Sequence, residues 1–157
     1  MTHRVGFGED AHALAADRPL IIGNVPVPSP TGAVAHSDGD VLLHALADAL
    51  LSAFALGDIG TYFPPSNPEF KDIDSAEILR KVLSLVSEQG AVELVNIAAV
   101  VTLDKPKLGA HREAVQLRVA ELLGLPPERV GLTFKTSEGL APEHIQARVT
   151  ALLNISP

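Results

Sequence analysis

The segment that limits the fold of this chain most is a polar turn, His36–Asp40, that leads directly into an apolar stretch. The turn residues favour the start of a helix and the apolar stretch continues it, so a helix over 40–55 is predicted. In that helix Asp40, His44 and Asp48 lie one turn apart along a single face. A side chain able to bind a metal or carry a proton, His44, is therefore expected in an element that is largely apolar.

A second polar segment, Gly8–His12, lies near the N-terminus. If it forms a strand, Asp10 and His12 point to the same face, because strand side chains alternate. Together with His44 they offer one oxygen and two nitrogens, a donor set suited to zinc. Three protein ligands leave the fourth tetrahedral position open, which is typical of catalytic rather than structural zinc sites.

Each of these patterns also has a purely structural interpretation. An Asp-x-His pair is often a surface or hydrogen-bonded pair, and a histidine such as His44 in an amphipathic helix is usually a partly buried side chain with satisfied hydrogen bonds. The His36–Asp40 run can be a capping turn and nothing more. The combination of the two segments favours a metal site, but the spacing alone leaves both interpretations open.

Composition excludes several classes of protein. Hydrophobic residues form 46% of the chain, so it is not intrinsically disordered. The absence of cysteine excludes disulfides, thiolate metal ligands and cysteine nucleophiles, and is compatible with the expected cytoplasmic location. No signal-peptide core and no apolar run of about 20 residues is found, so no membrane partner is expected. The net charge of −7 argues against nucleic-acid binding and means that a phosphate substrate would need metal ions or local cations.

The rest of the chain mixes strand and helix patterns without a repeat or a linker, as expected for one domain over 1–157. Ser37 or Asp38 is expected to cap the helix over 40–55, and Gly57 to follow its end. The other predicted strands are 4–12, 93–103, 130–137 and 145–153, with a short helix as the alternative for the last. The other predicted helices run from about 75 to 89 and over 110–123, the second ending at Gly124. A hairpin over 20–27 that turns at Gly23-Asn24 and a loop at 63–68 complete the prediction. Hairpin and crossover connections together predict an α+β fold, with helices packed on one face of a mixed β-sheet.

These motifs resemble those of one enzyme family, the 2-C-methyl-D-erythritol 2,4-cyclodiphosphate synthases of the non-mevalonate isoprenoid pathway. The resemblance covers nearly the whole chain, and its matching stretches are 4–12, 35–50, 56–60 with the loop at Phe63-Pro64, 106–108 and 136–140. The block from His36 to Gly60 is the most specific of them.

The resemblance implies a homotrimer with its active sites between adjacent subunits. It implies a phosphorus–oxygen lyase in which the 2-phosphate of 4-diphosphocytidyl-2-C-methyl-D-erythritol 2-phosphate attacks the β-phosphorus, so that CMP leaves and a cyclic diphosphate closes. One Zn²⁺ per subunit, on Asp10, His12 and His44, would act as a Lewis acid. A second divalent ion, Mg²⁺ or Mn²⁺, would lie beside Glu138 and bridge the substrate diphosphate.

The resemblance also assigns roles in substrate binding. His36 and Thr136 match positions that stabilise the transition state by hydrogen bonding. Asp58 and Gly60 match positions that hold the erythritol hydroxyls. The neighbouring subunit would offer its 103–109 and 135–138 segments to the cytidine and the diphosphate. The full set of expected substrate-binding residues is Asp10, His12, His36, Ser37, Asp58, Ile59, Gly60, Phe63, Pro64, Pro65, Ser66, Asn67, Leu103, Pro106, Lys107, Leu108, Gly109, Lys135, Thr136, Ser137 and Glu138.

The sequence departs from the family pattern at three places. The lysine of the 133–138 strand, Lys135, is shifted by two positions, which keeps it on the same strand face. Pro65 and Asn67 replace acidic loop residues. The segment 141–144 is shortened where the family lines its trimer axis, which puts the binding of isoprenoid diphosphates there in doubt.

Asp40 and Asp48 are candidates for orienting the metal-binding histidines, with helix capping and solvation as an equal alternative. Two other functions fit the same ligand set. A zinc-dependent phosphohydrolase would need a general base near the metal, such as Glu9 or Asp40. A non-catalytic metal-binding protein would need a fourth ligand, for which His111 and His144 are the candidates.

Overall fold

The computed structural model describes residues 1–157. Its strands are β1 (Thr2–Ala16), β2 (Leu20–Ile22), β3 (Val25–Val27), β4 (Thr31–Ala33), β5 (Ala91–Leu103), β6 (Val130–Lys135) and β7 (His144–Ser156). Its helices are α1 (Val41–Ser52), α2 (Ile59–Tyr62), α3 (Ser75–Ser87) and α4 (Arg112–Leu123), with 3₁₀ turns at Pro68–Phe70, Gly109–His111 and Pro127–Arg129. One sheet has the strand order β4-β1-β7-β5-β6, in which only β5 and β6 are parallel, and β2 pairs with β3 in a separate hairpin. The chain is a single α+β domain with a mixed sheet.

The long strands of the sheet have one buried and one open face. Along β7, buried Ile145 and Ala147 alternate with residues such as Arg148 and Thr150, which are exposed. This period of two is that of a half-buried strand, so a strand and not a helix forms here. Helix α1 packs on the buried face against β1 and β7, and α3 packs against α1.

Two glycines let β1 and α1 approach each other closely. A Cβ atom at Gly6 would lie 1.8 Å from the carbonyl oxygen of Ala49, and one at Gly8 would lie 2.1 Å from that of Ala45. No side chain fits at either position, because the obstacle is helix backbone, which cannot move aside. The close approach brings the following residues of β1 beside the helix turn that carries His44.

Helix α1 is buried on almost all sides, and only Asp48 and Ser52 of its residues are not fully buried. Its N-cap is Asp40, whose carboxylate accepts a hydrogen bond from the backbone N–H three residues later, at 3.0 Å. The predicted caps, Ser37 and Asp38, are therefore wrong. The helix also ends at Ser52, earlier than predicted, and a turn follows before Gly57. No helix of the chain combines the length and apolarity needed to cross a bilayer.

The other predicted elements are found with shifted ends. The hairpin over 20–27 is confirmed, as is the left-handed Gly124 that ends α4. Strand β1 is longer than predicted, and β6 ends at Lys135 rather than Ser137. The sequence reasoning missed α2, a single turn whose N-cap Asp58 accepts from the Thr61 N–H at 3.1 Å, because one turn has no periodicity to detect.

Candidate metal and substrate site

Three side chains, Asp10, His12 and His44, converge where β1 packs against α1. Asp10 Oδ2 lies 2.8 Å from His12 Nε2 and 3.0 Å from His44 Nδ1. The two imidazole rings meet edge to face, with their centroids 5.7 Å apart. The ligand atoms of all three residues lie within 4.8 Å of one another, so one metal ion could bind them together.

The polar atoms of this triad do not satisfy one another's hydrogen bonds fully, and they form a suitable ligand set for a cation. His12 Nε2 is buried without a hydrogen-bond partner, because its contact with Asp10 lacks the alignment of a hydrogen bond. Burial raises the pKa of Asp10, but its contacts with His12 and His44 outweigh burial and hold that pKa at about 2. Burial lowers the pKa of His44, and the contact with Asp10 outweighs this, so the pKa is raised. An anionic oxygen between two imidazole nitrogens is a donor set that fits zinc with one position open.

The second ring nitrogen of His44 has partners of its own. Its Nε2 lies 2.8 Å from Ser75 Oγ and 3.1 Å from Ser37 Oγ. The Ser75 hydroxyl donates in turn to a carboxylate oxygen of Asp38. Sequence reasoning missed Ser75 and Asp38 at this site, because Ser75 stands 31 positions from His44 and no local pattern connects them.

The prediction that Asp40 and Asp48 orient the histidines is wrong. The fully buried Asp40 carboxylate accepts hydrogen bonds from the backbone N–H groups of Gly23 and Asn24, at 3.0 and 2.6 Å, besides capping α1. Burial raises the pKa of Asp40 to about 6. Asp48 accepts from the Ile59 N–H at 2.8 Å and so holds the start of α2, and burial raises its pKa as well. Capping, the alternative interpretation, is the correct one for Asp40.

The triad opens into a cavity of about 370 Å³, called here the metal-side cavity. The expected site residues that line it are Asp10, His12, His36, Ser37, His44, Ile59, Gly60, Phe63 and Pro65. Its apolar wall was not predicted from any motif, and it is formed by Ala35, Phe70, Ile73 and Ile78. The loop residue Asn67 contacts this wall region, since its carbonyl oxygen lies 3.3 Å from His36 Nε2. Asp58, Pro64 and Ser66 belong to the same segment but do not line the cavity.

Six other expected residues line a separate cavity of about 210 Å³, called here the strand-end cavity. It lies where β5 and β6 end, and the expected residues that line it are Leu103, Lys107, Leu108, Gly109, Lys135 and Thr136. Asp104, which lies within the predicted 103–109 segment, lines it too, whereas the lining residues Arg112 and Phe134 were missed by the sequence reasoning. The Arg112 guanidinium lies 5.3 Å from the centroid of the Phe134 ring, so a flat cationic group covers an aromatic face. The two cavities share no lining residue.

Glu138 is exposed and lines neither cavity. It accepts a hydrogen bond from Thr136 Oγ1 at 3.3 Å, which keeps its carboxylate near the strand-end cavity. The half-buried Asp104 carboxylate accepts from the Ser137 N–H at 2.5 Å, and hydrogen bonds from Ser137 lower the pKa of Asp104. Pro106 lies in the loop between Asp104 and Lys107 and does not line the cavity.

The residues required by the two alternative functions lie away from the triad. Glu9 points to the opposite face of β1 from Asp10, and its carboxylate lies 3.4 Å from the Arg148 side chain. Asp40 is buried in its capping contacts. His111 and His144 do not belong to the group of converging ligand atoms.

Comparison with known proteins identifies close relatives of this chain. A sequence model of the YgbB family matches residues 3–154. The 2-C-methyl-D-erythritol 2,4-cyclodiphosphate synthases of Deinococcus radiodurans and of one strain of Thermus thermophilus are 61% and 55% identical over 151 residues, with 96% of this chain covered in both cases and 93% and 99% of the relatives. Two solved structures of 2C-methyl-D-erythritol-2,4-cyclodiphosphate synthase superpose with a TM-score of 0.92, at 53% and 51% identity, over 96% of this chain and 100% of theirs. The second of them is the form with CDP bound.

Proposed function

The chain belongs to the YgbB family, the 2-C-methyl-D-erythritol 2,4-cyclodiphosphate synthases, and from that membership we propose the reaction and the residue roles that follow. The substrate is 4-diphosphocytidyl-2-C-methyl-D-erythritol 2-phosphate. An oxygen of its 2-phosphate attacks the β-phosphorus, the bond from that phosphorus to the CMP oxygen breaks, and the products are CMP and the 2,4-cyclodiphosphate. The observation that carries this proposal is the triad of Asp10, His12 and His44 at the wall of the metal-side cavity.

The triad is the place for a zinc ion. Bound there, zinc would supply Lewis-acid polarisation of the β-phosphate. Asp10 supplies the charge of the donor set, and His12 supplies a buried nitrogen that has no other partner. The carboxylate and the imidazoles are held by a strand and a helix, so the donor atoms need little rearrangement to bind.

Other residues align and neutralise the phosphates, since phosphoryl transfer depends mainly on positioning and charge. His36 and Thr136 donate hydrogen bonds to the transition state, His36 from the metal-side cavity and Thr136 from the strand-end cavity. Gly60 and Asp58 hold the erythritol hydroxyls at the start of α2. Glu138 would hold the second divalent ion, Mg²⁺ or Mn²⁺, whose charge would offset that of the diphosphate in an acidic protein.

The cytidine occupies the strand-end cavity of a neighbouring subunit in a homotrimer. Two observations support this assembly. The two cavities of one chain share no residue, so neither holds both ends of the substrate. The open face of the sheet also carries apolar side chains that a neighbouring subunit would cover, with Val5 66% and Phe7 52% exposed. The cytoplasmic location stays a prediction from composition.

Product analysis in ¹⁸O-labelled water tests the reaction. Intramolecular attack predicts CMP and a cyclic diphosphate in equal amounts, with no ¹⁸O in either product. A phosphohydrolase would release CMP with an uncyclised product that carries ¹⁸O, and a metal-binding protein would give no turnover. Either of the last two results, obtained with zinc-loaded protein and Mg²⁺, contradicts the proposal.

A further inference from the structure

We propose that Ser75 and Asp38 are positioning residues for the metal centre, which hold His44 so that its Nδ1 atom is free to bind the metal while its Nε2 atom carries the proton. The inference rests on the proposed metal site. Neither residue reaches the metal position itself, and both act through His44. They belong to a part of the chain, the turn before α1 and the start of α3, that lies outside the ligand set.

The direction of the hydrogen bonds fixes the tautomer of His44. The Ser75 hydroxyl has one hydrogen, which it donates to a carboxylate oxygen of Asp38. Its lone pairs are then left to accept, so His44 Nε2, at 2.8 Å, is the donor. A neutral imidazole protonated at Nε2 has its only lone pair at Nδ1. That atom lies 3.0 Å from Asp10 Oδ2, an anionic oxygen. Two electron-pair donors at this distance repel each other, and a cation bound by both atoms removes the repulsion.

The surroundings of Ser75 make this arrangement rigid. Ser75 is fully buried and His44 is 5% exposed, so water does not replace either partner. The other oxygen of Asp38 accepts from the Ser75 backbone N–H at 2.9 Å, which gives the carboxylate two contacts to one residue. The backbone N–H of Asp38 donates to the carbonyl oxygen of Ile73 at 3.1 Å. These hydrogen bonds join the turn before α1 to the start of α3, the two segments that contact His44 Nε2.

The hairpin turn extends this support. Asp74 caps α3 directly before Ser75, and its carboxylate accepts from the Asn24 side-chain amide at 3.0 Å. The backbone N–H of Asn24 donates to Asp40, the cap of α1, at 2.6 Å. One turn residue therefore ties the start of the helix that carries Ser75 to the start of the helix that carries His44.

The expected effect is on zinc affinity. Loss of the partner that orients a metal-binding histidine typically weakens metal binding about 10–100-fold. Ser75→Ala leaves the Nε2–H of His44 without its nearest acceptor in a buried place. Ser37 Oγ is the second and longer contact of Nε2, at 3.1 Å, so Ser37→Ala should have a smaller effect.

Zinc affinity is measured by competition with a chromophoric chelator, from pH 5.5 to 8, on the full chain freed of metal. The variants are Ser75→Ala, Ser75→Thr, which keeps a hydroxyl, and Asp38→Asn. Ser87→Ala is the matched control, since Ser87 is exposed at the far end of the same helix. We expect affinity to fall about 10–100-fold in Ser75→Ala, to recover at least in part in Ser75→Thr, and to stay unchanged in Ser87→Ala.

A second measurement separates positioning from a loss of packing. In ¹⁵N-labelled zinc-loaded protein, two-bond ¹H–¹⁵N spectra report which ring nitrogen of His44 carries the proton, and we expect Nε2 in the parent protein. If the parent shows Nδ1–H, or if folded Ser75→Ala and Asp38→Asn both bind zinc within twofold of the parent, the proposal is overturned. If Ser75→Ala does not fold, Asp38→Asn alone decides. His44→Ala identifies failure of the metal site itself: unchanged zinc binding in that variant would refute the proposed function, whatever Ser75 does.

Discussion

The two cavities of this chain are built by different means. The metal-side cavity takes its donor atoms from a strand and a helix whose backbones touch, and its key side chain, His44, is 5% exposed. The strand-end cavity is formed where β5 and β6 stop, and its Lys107, Lys135 and Thr136 side chains belong to exposed residues. The first presents a fixed set of ligand atoms, and the second presents charge and an aromatic surface that a partner or ligand can cover.

This difference separates two parts of the proposed reaction. Metal binding needs donor atoms held within a fraction of an ångström, which rigid elements provide. Recognition of a nucleotide diphosphate tolerates a site completed from two chains, provided that both ends of the substrate are held. We therefore expect substitutions in the metal-side cavity to act within each chain and those in the strand-end cavity to act across chains.

The largest effect is expected for His44→Ala. It removes one of the three ligands, so zinc should be lost and kcat/KM should fall by at least about 10³-fold, since Lewis-acid stabilisation is worth several kcal/mol. The helix itself should persist, because Ala is the best helix former. Metal analysis of the purified variant, together with circular dichroism, checks both points.

The matched control for this variant is His3→Ala. His3 is exposed on β1 and contacts Asn154 at 2.6 Å, at the end of the strand away from the triad. It should keep its zinc and its activity. Undiminished zinc in His44→Ala would show that the triad is not the metal site.

The next effect tests whether the two cavities work across chains. Thr136→Ala should lower kcat about 10²–10³-fold, the usual cost of one lost transition-state hydrogen bond. When equal amounts of Thr136→Ala and His44→Ala exchange subunits, activity should return at about one quarter of the interfaces. Random assembly of a cyclic trimer pairs an intact metal half with an intact Thr136 half at that frequency. Native mass spectrometry confirms that mixed trimers form.

A mixture that forms mixed trimers and stays inactive would place both halves of the site in one chain. Full activity of Thr136→Ala on its own would mean that Thr136 is only a strand residue. The control mixture is His44→Ala with Asp10→Ala, since both lack the metal half and no interface can be complete.

The same contrast explains how much could be predicted from the sequence. The spacing of Asp10, His12 and His44 follows the periods of a strand and a helix, and the structure brings these side chains together as the periods predicted. Ser75 could not be placed, because its contact with His44 depends on how α3 packs and not on any local period. The choice between two roles for Asp40 stayed open for a related reason: its position one turn before His44 follows from the helix period, but its partners include backbone N–H groups of a distant hairpin.

The strand-end cavity was predicted from the family resemblance and not from any period. That source identified Lys107 and Thr136 but did not indicate Arg112 and Phe134, which stand on different elements and meet only in the folded chain. Side chains that meet through tertiary packing leave no pattern in a single sequence.

A smaller effect is expected for Asp40, which fastens the hairpin to the helix that carries His44. Its pKa is raised to about 6 in the folded chain, against an ordinary 3.8, so the folded state holds the proton more tightly between these pH values. Stability contributed by the neutral form is present below pH 4 and is lost as the pH rises towards 6, by about 3 kcal/mol at most. The side chain of Asp40→Asn cannot lose a proton, so its free energy of unfolding lacks this pH dependence. The stability gap, the free energy of unfolding of the parent minus that of the variant, should therefore narrow as the pH rises over this range.

Urea unfolding of metal-free protein at pH 4, 5, 6 and 7 measures that gap. Glu88→Gln, an exposed carboxylate at the end of α3, is the control and should leave the pH profile of the parent unchanged. A gap that widens with pH would mean that the three backbone N–H groups around Asp40 stabilise its charged form more than burial destabilises it.

The smallest effect is expected for Glu138→Gln, a change beside the less rigid strand-end cavity. Glu138 is exposed and held only by the hydroxyl of Thr136, so its contribution to binding a divalent ion is screened by water. Removing one carboxylate charge from a hard-ion site should raise the Mg²⁺ or Mn²⁺ concentration needed for half-maximal activity by about tenfold, a change of about 1.4 kcal/mol. Zinc should stay bound, because the triad lines the metal-side cavity and Glu138 is not part of it. Glu128→Gln, at an exposed 3₁₀ turn, is the matched control. If the metal-activation curve of Glu138→Gln overlays that of the parent, Glu138 does not bind the second ion, and Asp104, which lines the strand-end cavity, becomes the candidate carboxylate.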